Sequence, residues 1–165
     1  MRTSLLLTSS LLSLALLTAC GQNPAEKMME NAIEKETGGQ ANVDIANGTM
    51  KVQTSEGSFE VGGNTLPKDW PSDAPAYPGA SIQYSASGMQ DSGAGQGVML
   101  TTKDSLQTVV DFYTEQMKKN GWTIEGSMNA GTTSTIGGSK DGRMFTMVAS
   151  SVDGTTNITL ALGTK

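Results

Sequence analysis

Near the start of the chain an apolar run, from Leu5 to Leu17, contains only small hydroxyl residues between its apolar ones and no charged residue. As an α-helix this run spans roughly 20 Å, at about 1.5 Å per residue, whereas a bilayer core is ~30 Å thick. A short basic start, Met1-Arg2, precedes it. The pattern therefore predicts a signal peptide and not a membrane-spanning helix.

A helical period of apolar residues comes next. Asn23 suits the N-cap, Pro24 the first helical position and Glu26 a capping box, so a helix should run to about Thr37. Its apolar stripe consists of Ala25, Met28, Met29, Ala32 and Ile33. We expect this stripe to pack on the protein, because the polar face carries mostly glutamate; the alternative is the membrane surface.

Residues 42–62 alternate between apolar and polar positions and predict a three-stranded meander, with turns at Asn47-Gly48 and Ser55-Glu56-Gly57. The sequence leaves open whether this meander and the first helix pack on the C-terminal domain. Residues 64–80 hold four prolines and predict neither a helix nor a central strand. Leu66, Trp70 and Tyr77 indicate a segment pinned across a surface; a free linker is the alternative.

From Ser81 onwards the pattern predicts a compact α+β unit. Two strands, at residues 81–84 and 98–102, flank a glycine-rich turn at Gly88–Gly97, and the next element is a helix that Asp104 should cap. Leu106, Val109, Val110, Tyr113 and Met117 form the inward stripe of that helix.

Four more strands come after Gly121, with hairpin turns at Asp141-Gly142 and Asp153-Gly154. The order ββαββββ predicts a two-layer α+β sandwich, with one main helix on an antiparallel sheet, preceded by the short helix and the meander. Because Gly137-Gly138 weakens its strand, we expect that strand to be bent or at an edge.

The end of the apolar leader, Leu17-Thr18-Ala19-Cys20, resembles the lipobox of bacterial lipoproteins. The resemblance implies cleavage between Ala19 and Cys20 and a diacylglycerol on the sulfur of Cys20, which is the only cysteine. The protein would then be anchored by this lipid in the cell envelope, on the outer face of the cytoplasmic membrane or on the outer membrane. An ordinary secretory signal is the alternative.

The proline-rich motif Leu66-Pro67-x-x-Trp70-Pro71-x-Asp73-x-Pro75-x-Tyr77-Pro78-Gly79, with Asp111-Phe112-Tyr113 and Gly121-Trp122, resembles a group of small uncharacterised bacterial lipoproteins. This resemblance implies the location and the approximate fold, and it brings no activity with it. The predicted organisation is a signal peptide at 1–19, a lipidated N-terminus and short helix at 20–40, a meander at 41–63, a proline-rich connecting segment at 64–80 and an α+β domain at 81–165.

Composition removes several function classes. The net charge of −5 argues against nucleic-acid binding, which needs clustered cations. Histidine is absent and the resemblance implies that Cys20 is acylated, so we expect no Ser-His-Asp triad, Cys-His pair or Cys/His zinc site. We expect no cofactor and no metal, and we expect the ten methionines to fill the core. The oligomeric state cannot be predicted from the sequence.

Phe112 lies roughly 120° away from the inward stripe of the main helix. With Trp70 and Tyr77 it forms a candidate patch for an envelope protein partner, unless the proline-rich segment packs over it. The favoured function is a non-enzymatic binding module that uses the sheet face away from the helix. The alternatives are a carrier of a small apolar ligand between sheet and helix and, less favoured, a small hydrolase that uses Lys140 or paired acids such as Asp69 and Asp73.

Overall fold

The computed structural model describes residues 23–88 and 95–164. The cleavage and lipidation residues Ala19 and Cys20, and residues 89–94 of the glycine-rich turn, lie outside this part. Two helices and nine strands occur in it: α1 Pro24–Glu36, β1 Ala41–Ala46, β2 Thr49–Thr54, β3 Ser58–Val61, β4 Ser81–Ser87, β5 Gln96–Thr102, α2 Leu106–Lys119, β6 Thr123–Ala130, β7 Thr133–Lys140, β8 Arg143–Val152 and β9 Thr155–Thr164. Within these residues neither helix has the length and apolar content that a bilayer crossing requires.

All nine strands form one antiparallel sheet in the order β1-β2-β3-β4-β5-β9-β8-β7-β6. The fold is therefore α+β, as the sequence predicts, but the sheet is larger than the predicted one. The meander continues the sheet because β3 pairs with β4 across the proline-rich segment, from Ser58 opposite Ser87 to Val61 opposite Tyr84.

Local sequence signals set the turns and the first helix. Asn23 and Glu26 form the predicted capping box of α1. Both central residues of the Asn47-Gly48, Asp141-Gly142 and Asp153-Gly154 turns have positive φ, as two-residue type I′ hairpins require. The predicted cap of α2 is wrong by one residue. Ser105 is the N-cap and accepts from the Thr108 N–H, whereas the Asp104 carboxylate accepts a hydrogen bond from Tyr77.

A second layer covers one face of the sheet. It consists of α2 and of the proline-rich segment, which packs beside the helix. Val109, Tyr113 and Met117 point from α2 into a core in which the sheet side chains are almost fully buried: Val98, Leu100, Ile136, Phe145, Met147, Ile158 and Leu160. Leu66, Trp70 and Tyr77 pack against this core, so the proline-rich segment is pinned and is not a free linker.

The apolar side of the sheet changes between its two halves. On the face that α2 covers, one row of directly opposed residues is polar on the first four strands and apolar on the next four. The row consists of Asp44, Lys51, Glu60 and Ser85, followed by Val98, Leu160, Met147 and Ile136. The opposite face is apolar on the first strands, where Ala41, Val43 and Val52 are buried and Ile33 of α1 packs on them. Two separate cores therefore lie on opposite faces of one sheet.

The glycine pair on β7 marks close packing and not a sheet edge. β7 lies inside the sheet, between β6 and β8, so the prediction of an edge strand is wrong. A Cβ on Gly138 would lie 2.5 Å from the Cε of Met117 and 2.6 Å from the backbone oxygen of Thr123. The residue is glycine because α2 and the bulged strand β6 both approach it.

We predict that Gly138→Ala lowers the free energy of unfolding by about 1–3 kcal/mol, since the Thr123 backbone cannot give way as a flexible side chain can. Urea titration measures the effect. Gly137→Ala is the matched control, because nothing lies within 4 Å of its added Cβ. Equal stability of both variants would contradict this account of β7.

Candidate functional site

The sheet face away from α2, here called the open face, runs across all nine strands. A single row of directly opposed residues crosses it: Ile45, Met50, Val61, Tyr84, Met99, Thr159, Val148, Thr135 and Met128. At about 4.8 Å between neighbouring strands, this row is on the order of 40 Å wide. From Tyr84 to Met128 no residue of the row belongs to the buried core.

Among the strand residues that the structure describes on the open face, the one charged side chain is that of Glu125, in the bulge of β6, whose carboxylate accepts the hydroxyl of the open-face residue Ser139 at 2.6 Å. The charged strand residues Asp44, Lys51, Glu60, Lys140 and Arg143 occupy the other face. An exposed sheet face normally carries charges that hold water and prevent association. A face of this width with one charged strand residue, at its β6 rim, indicates a contact surface.

Methionines are the large side chains of this face. Met99, Met128 and Met144 are exposed on it, and Met50 is half-buried. Only Met117 and Met147 are buried among the methionines that the structure describes, so the expectation that methionines mainly fill the core is wrong. Flexible thioether side chains suit a surface that adapts to what it binds.

The sheet also carries two depressions near its first strands. One, of about 310 Å³, lies on the side that α2 covers elsewhere; its lining includes Lys51, Glu60, Lys68 and Asp69 and is polar. The other, of about 210 Å³, lies on the open face and is lined by Val52, Phe59, Tyr84 and Ala86 among others. The rings of Phe59 and Tyr84 stack there, with centroids 6.3 Å apart. The second depression is the apolar part of the open face.

The three residues of the predicted partner patch lie together, between the proline-rich segment and α2. The Tyr77 ring packs edge-on against Phe112, with centroids 5.0 Å apart, and Trp70 donates its indole N–H to the Ala74 carbonyl oxygen at 2.6 Å. Tyr77 is buried, whereas Phe112 and Trp70 are half-buried. A partner that binds here can therefore contact only the exposed edges of the Phe112 and Trp70 side chains.

The Tyr77 hydroxyl fixes the end of the segment at the start of α2. It donates to Asp104 Oδ2 at 2.6 Å, and burial together with this carboxylate raises the pKa of Tyr77 to about 12. The phenol therefore remains protonated and continues to donate at neutral pH. Tyr77 therefore has a structural role and is not available to contact a ligand.

Asp73 anchors the middle of the segment, although the sequence indicates only a solvated acid there. Its carboxylate accepts Lys140 Nζ at 2.7 Å and both terminal nitrogens of Arg143, at 3.1 and 2.8 Å. Its backbone oxygen accepts the Trp122 indole N–H at 2.8 Å, and the Arg143 guanidinium lies 5.1 Å from the centre of the Trp122 ring. Hydrogen bonds from Arg143 and Lys140 lower the pKa of Asp73 to about 2.

A signal for this ion cluster is present in the sequence. A two-residue Asp141-Gly142 turn places Lys140 directly opposite Arg143, and two like charges in that position repel each other unless an acid lies between them. Lys140, the residue on which the hydrolase hypothesis depends, thus binds Asp73 and the Asn120 backbone oxygen at 2.8 Å. Asp73 pairs with these cations.

We predict that Asp73→Asn lowers the free energy of unfolding by about 1–2 kcal/mol at pH 7, because two cations lose their shared anion. The folded-state pKa of Asp73 lies below its ordinary value of 3.8, so its contribution is present above pH 4 and is lost as the pH falls through about 2. Stability measured between pH 2 and pH 7 should therefore fall less steeply in the variant. Asp69→Asn, at an exposed position of the same segment, is the control; equal pH profiles of wild type and Asp73→Asn would contradict the prediction.

Comparison with known proteins finds a similarity for the part of the chain that contains α2. The START domain-like family matches residues 82–159, which run from β4 through α2 to the middle of β9. The match covers slightly less than half of the chain and leaves out α1 and the first three strands. No curated protein matches the chain. The chain is thus similar to START domain-like proteins over its α2-bearing half.

Proposed function

We propose that this protein is a non-enzymatic lipoprotein that is anchored in the cell envelope by a lipid on Cys20 and binds an envelope protein through its open face. The observation that carries the binding role is the open face from β4 to β6, whose described strand residues carry a single charge, at Glu125 on the rim, and whose methionines are exposed. A partner of matching chemistry would present an uncharged surface of apolar and small polar side chains, because every buried charge would cost desolvation there.

The similarity to START domain-like proteins supports a binding role in general terms, since such domains typically bind ligands and are not enzymes. The chemistry of the chain points the same way. The Lys140 amine donates to Asp73 and to the Asn120 backbone oxygen, so both contacts hold it in a structural position and it is a poor nucleophile.

Anchoring is supported by the lipobox-like residues Leu17–Cys20. Two or three acyl chains hold a protein on a bilayer far more firmly than a single chain does. The lipid would also restrict the search for a partner to the membrane surface, where a weak contact is enough. A broad face with few large anchor residues suits such a contact.

A second candidate is a carrier of a small apolar ligand, favoured by the START-like match. The space between α2 and the sheet is filled by side chains such as Tyr113, Phe145 and Leu160, each almost fully buried, so the expected ligand position there is occupied. The depression beside Phe59 and Tyr84 is the better place for an apolar molecule. Native mass spectrometry that found a noncovalent mass, lost in Phe59→Asp, would favour this candidate.

We predict that Cys20→Ser abolishes acylation and releases the protein from the membrane fraction of its native host. Intact mass spectrometry should find diacylglycerol and a cleaved leader on the wild type and no acyl mass on the variant. Ser13→Ala, within the leader but outside the lipobox, is the control. A wild-type protein with a free thiol would contradict the anchoring proposal.

We predict that a photo-crosslinking amino acid at Thr159 captures one defined envelope protein. Val148 lies directly opposite Thr159, so Val148→Lys places a charge in the contact. We expect this variant to reduce the yield of the crosslink more than tenfold, which corresponds to a loss of about 1.4 kcal/mol or more of binding free energy. The thermal midpoint of the free protein should change little, because position 148 is exposed.

The matched control carries the crosslinker at Glu115, an exposed residue of α2 on the other side of the sheet. Equal products from positions 159 and 115 would contradict the use of the open face, and so would a crosslink that Val148→Lys leaves unchanged.

A further inference from the structure

The first helix is turned with its acidic side towards the protein. Glu30 Oε1 accepts the Ile45 backbone N–H at 2.7 Å, and Glu34 Oε1 accepts that of Val43 at 3.2 Å. These are outward N–H groups of β1, the edge strand. Ile33, on the same side of the helix, packs on the small core of Ala41, Val43 and Val52. The carboxylates of α1 thus complete the sheet edge.

This orientation leaves most of the apolar stripe facing outwards. Met28 is 74% exposed and Met29 56%, and Ala25 and Ala32 beside them are exposed as well. On a helical period, Met28 lies about 160° from Glu30, and Lys35 lies beside Met28 two turns further along. No residue of α1 is buried. A helix that turns its glutamates inwards and its methionines outwards is oriented opposite to the usual amphipathic arrangement on a soluble protein.

The covalent chain limits where this stripe can lie. Asn23 comes three residues after Cys20, so the Cα atoms of these two residues are at most about 11 Å apart. An acyl-bearing Cys20 sits at the headgroup boundary, and α1 starts one residue after Asn23. The exposed methionines, on the first two turns of α1, therefore cannot be far from the bilayer.

We propose that the outer side of α1 lies in the interface of the bilayer that holds the Cys20 lipid, with Met28 and Met29 entering it. The inference rests on the proposed acylation and adds a second contact, which fixes how the protein is oriented on the membrane. Glu30 and Glu34 do not oppose it, because their carboxylates are turned away towards β1. Lys35 is placed to meet phosphate headgroups.

The test uses the acylated mature protein reconstituted in vesicles of phosphatidylethanolamine and phosphatidylglycerol. Since the lipid occupies the Cys20 sulfur, Met28→Cys or Met29→Cys supplies a single thiol for an environment-sensitive fluorophore. We expect blue-shifted emission at both positions and quenching by nitroxide-labelled lipid on the order of threefold or more above that at Lys27→Cys. Lys27 is the matched control because it is exposed and lies about 160° from Met29 and about 100° from Met28 around the helix.

The outcomes separate this inference from the anchoring proposal. The acyl mass of the protein is confirmed first. If the labels at positions 28 and 29 then show the same emission and quenching as the label at position 27, the inference is overturned and the anchoring proposal stands. A protein without acyl mass would overturn both. Blue-shifted emission in native envelopes, together with unshifted emission in pure-lipid vesicles, would assign the apolar stripe to a protein partner. This result would equally overturn the bilayer contact.

Discussion

Alternation of side chains along the strands, shifted only at the bulges of β4 and β6 among the described residues, is the constraint on which this structure depends. Hydrogen-bonded register carries one row of residues across all nine strands, so each residue's face is fixed once its neighbours are paired. In this sheet the apolar row changes sides near β4 and β5. One cover cannot bury both halves, and the chain therefore uses two: α1 on one face at the first strands, and α2 with the proline-rich segment on the other face.

The proline-rich segment serves as part of the second layer because polar contacts fix it at its middle and near its C-terminal end. Asp73 binds Lys140 and Arg143 at the middle, and Tyr77 binds Asp104 near the end. Between them the backbone lacks the regular hydrogen bonds of a helix or a strand, which proline prevents. The segment thereby covers apolar surface beside α2 and leads the chain from β3 into β4. This single connection makes one sheet out of the meander and the later strands.

The sequence correctly predicts features that depend on residues close together in the chain. Its predictions are wrong or missing where contacts with residues distant in the chain determine the structure. The three two-residue turns and the capping box of α1 are local, and the sequence predicts them correctly. Asp104 and Ser105 are both competent caps, and the choice between them depends on Tyr77, which lies 27 residues away. Gly138 has its place because Met117 and Thr123 approach it. The pairing of β3 with β4, and the orientation of the α1 stripe, likewise depend on contacts that no periodic pattern encodes.

The two sheet edges explain why association would use the face and not the rim. At β1 the outward N–H groups of Val43 and Ile45 are already bound by carboxylates of α1, so no strand can be added there. At β6 the other rim is broken by a bulge between Ile124 and Gly126, and Glu125 within the bulge brings a charge. A bulge and a charge are both devices that disfavour edge-to-edge pairing. Between these two rims the described strand residues of the open face carry no charge, so a partner can approach the face there without burying one.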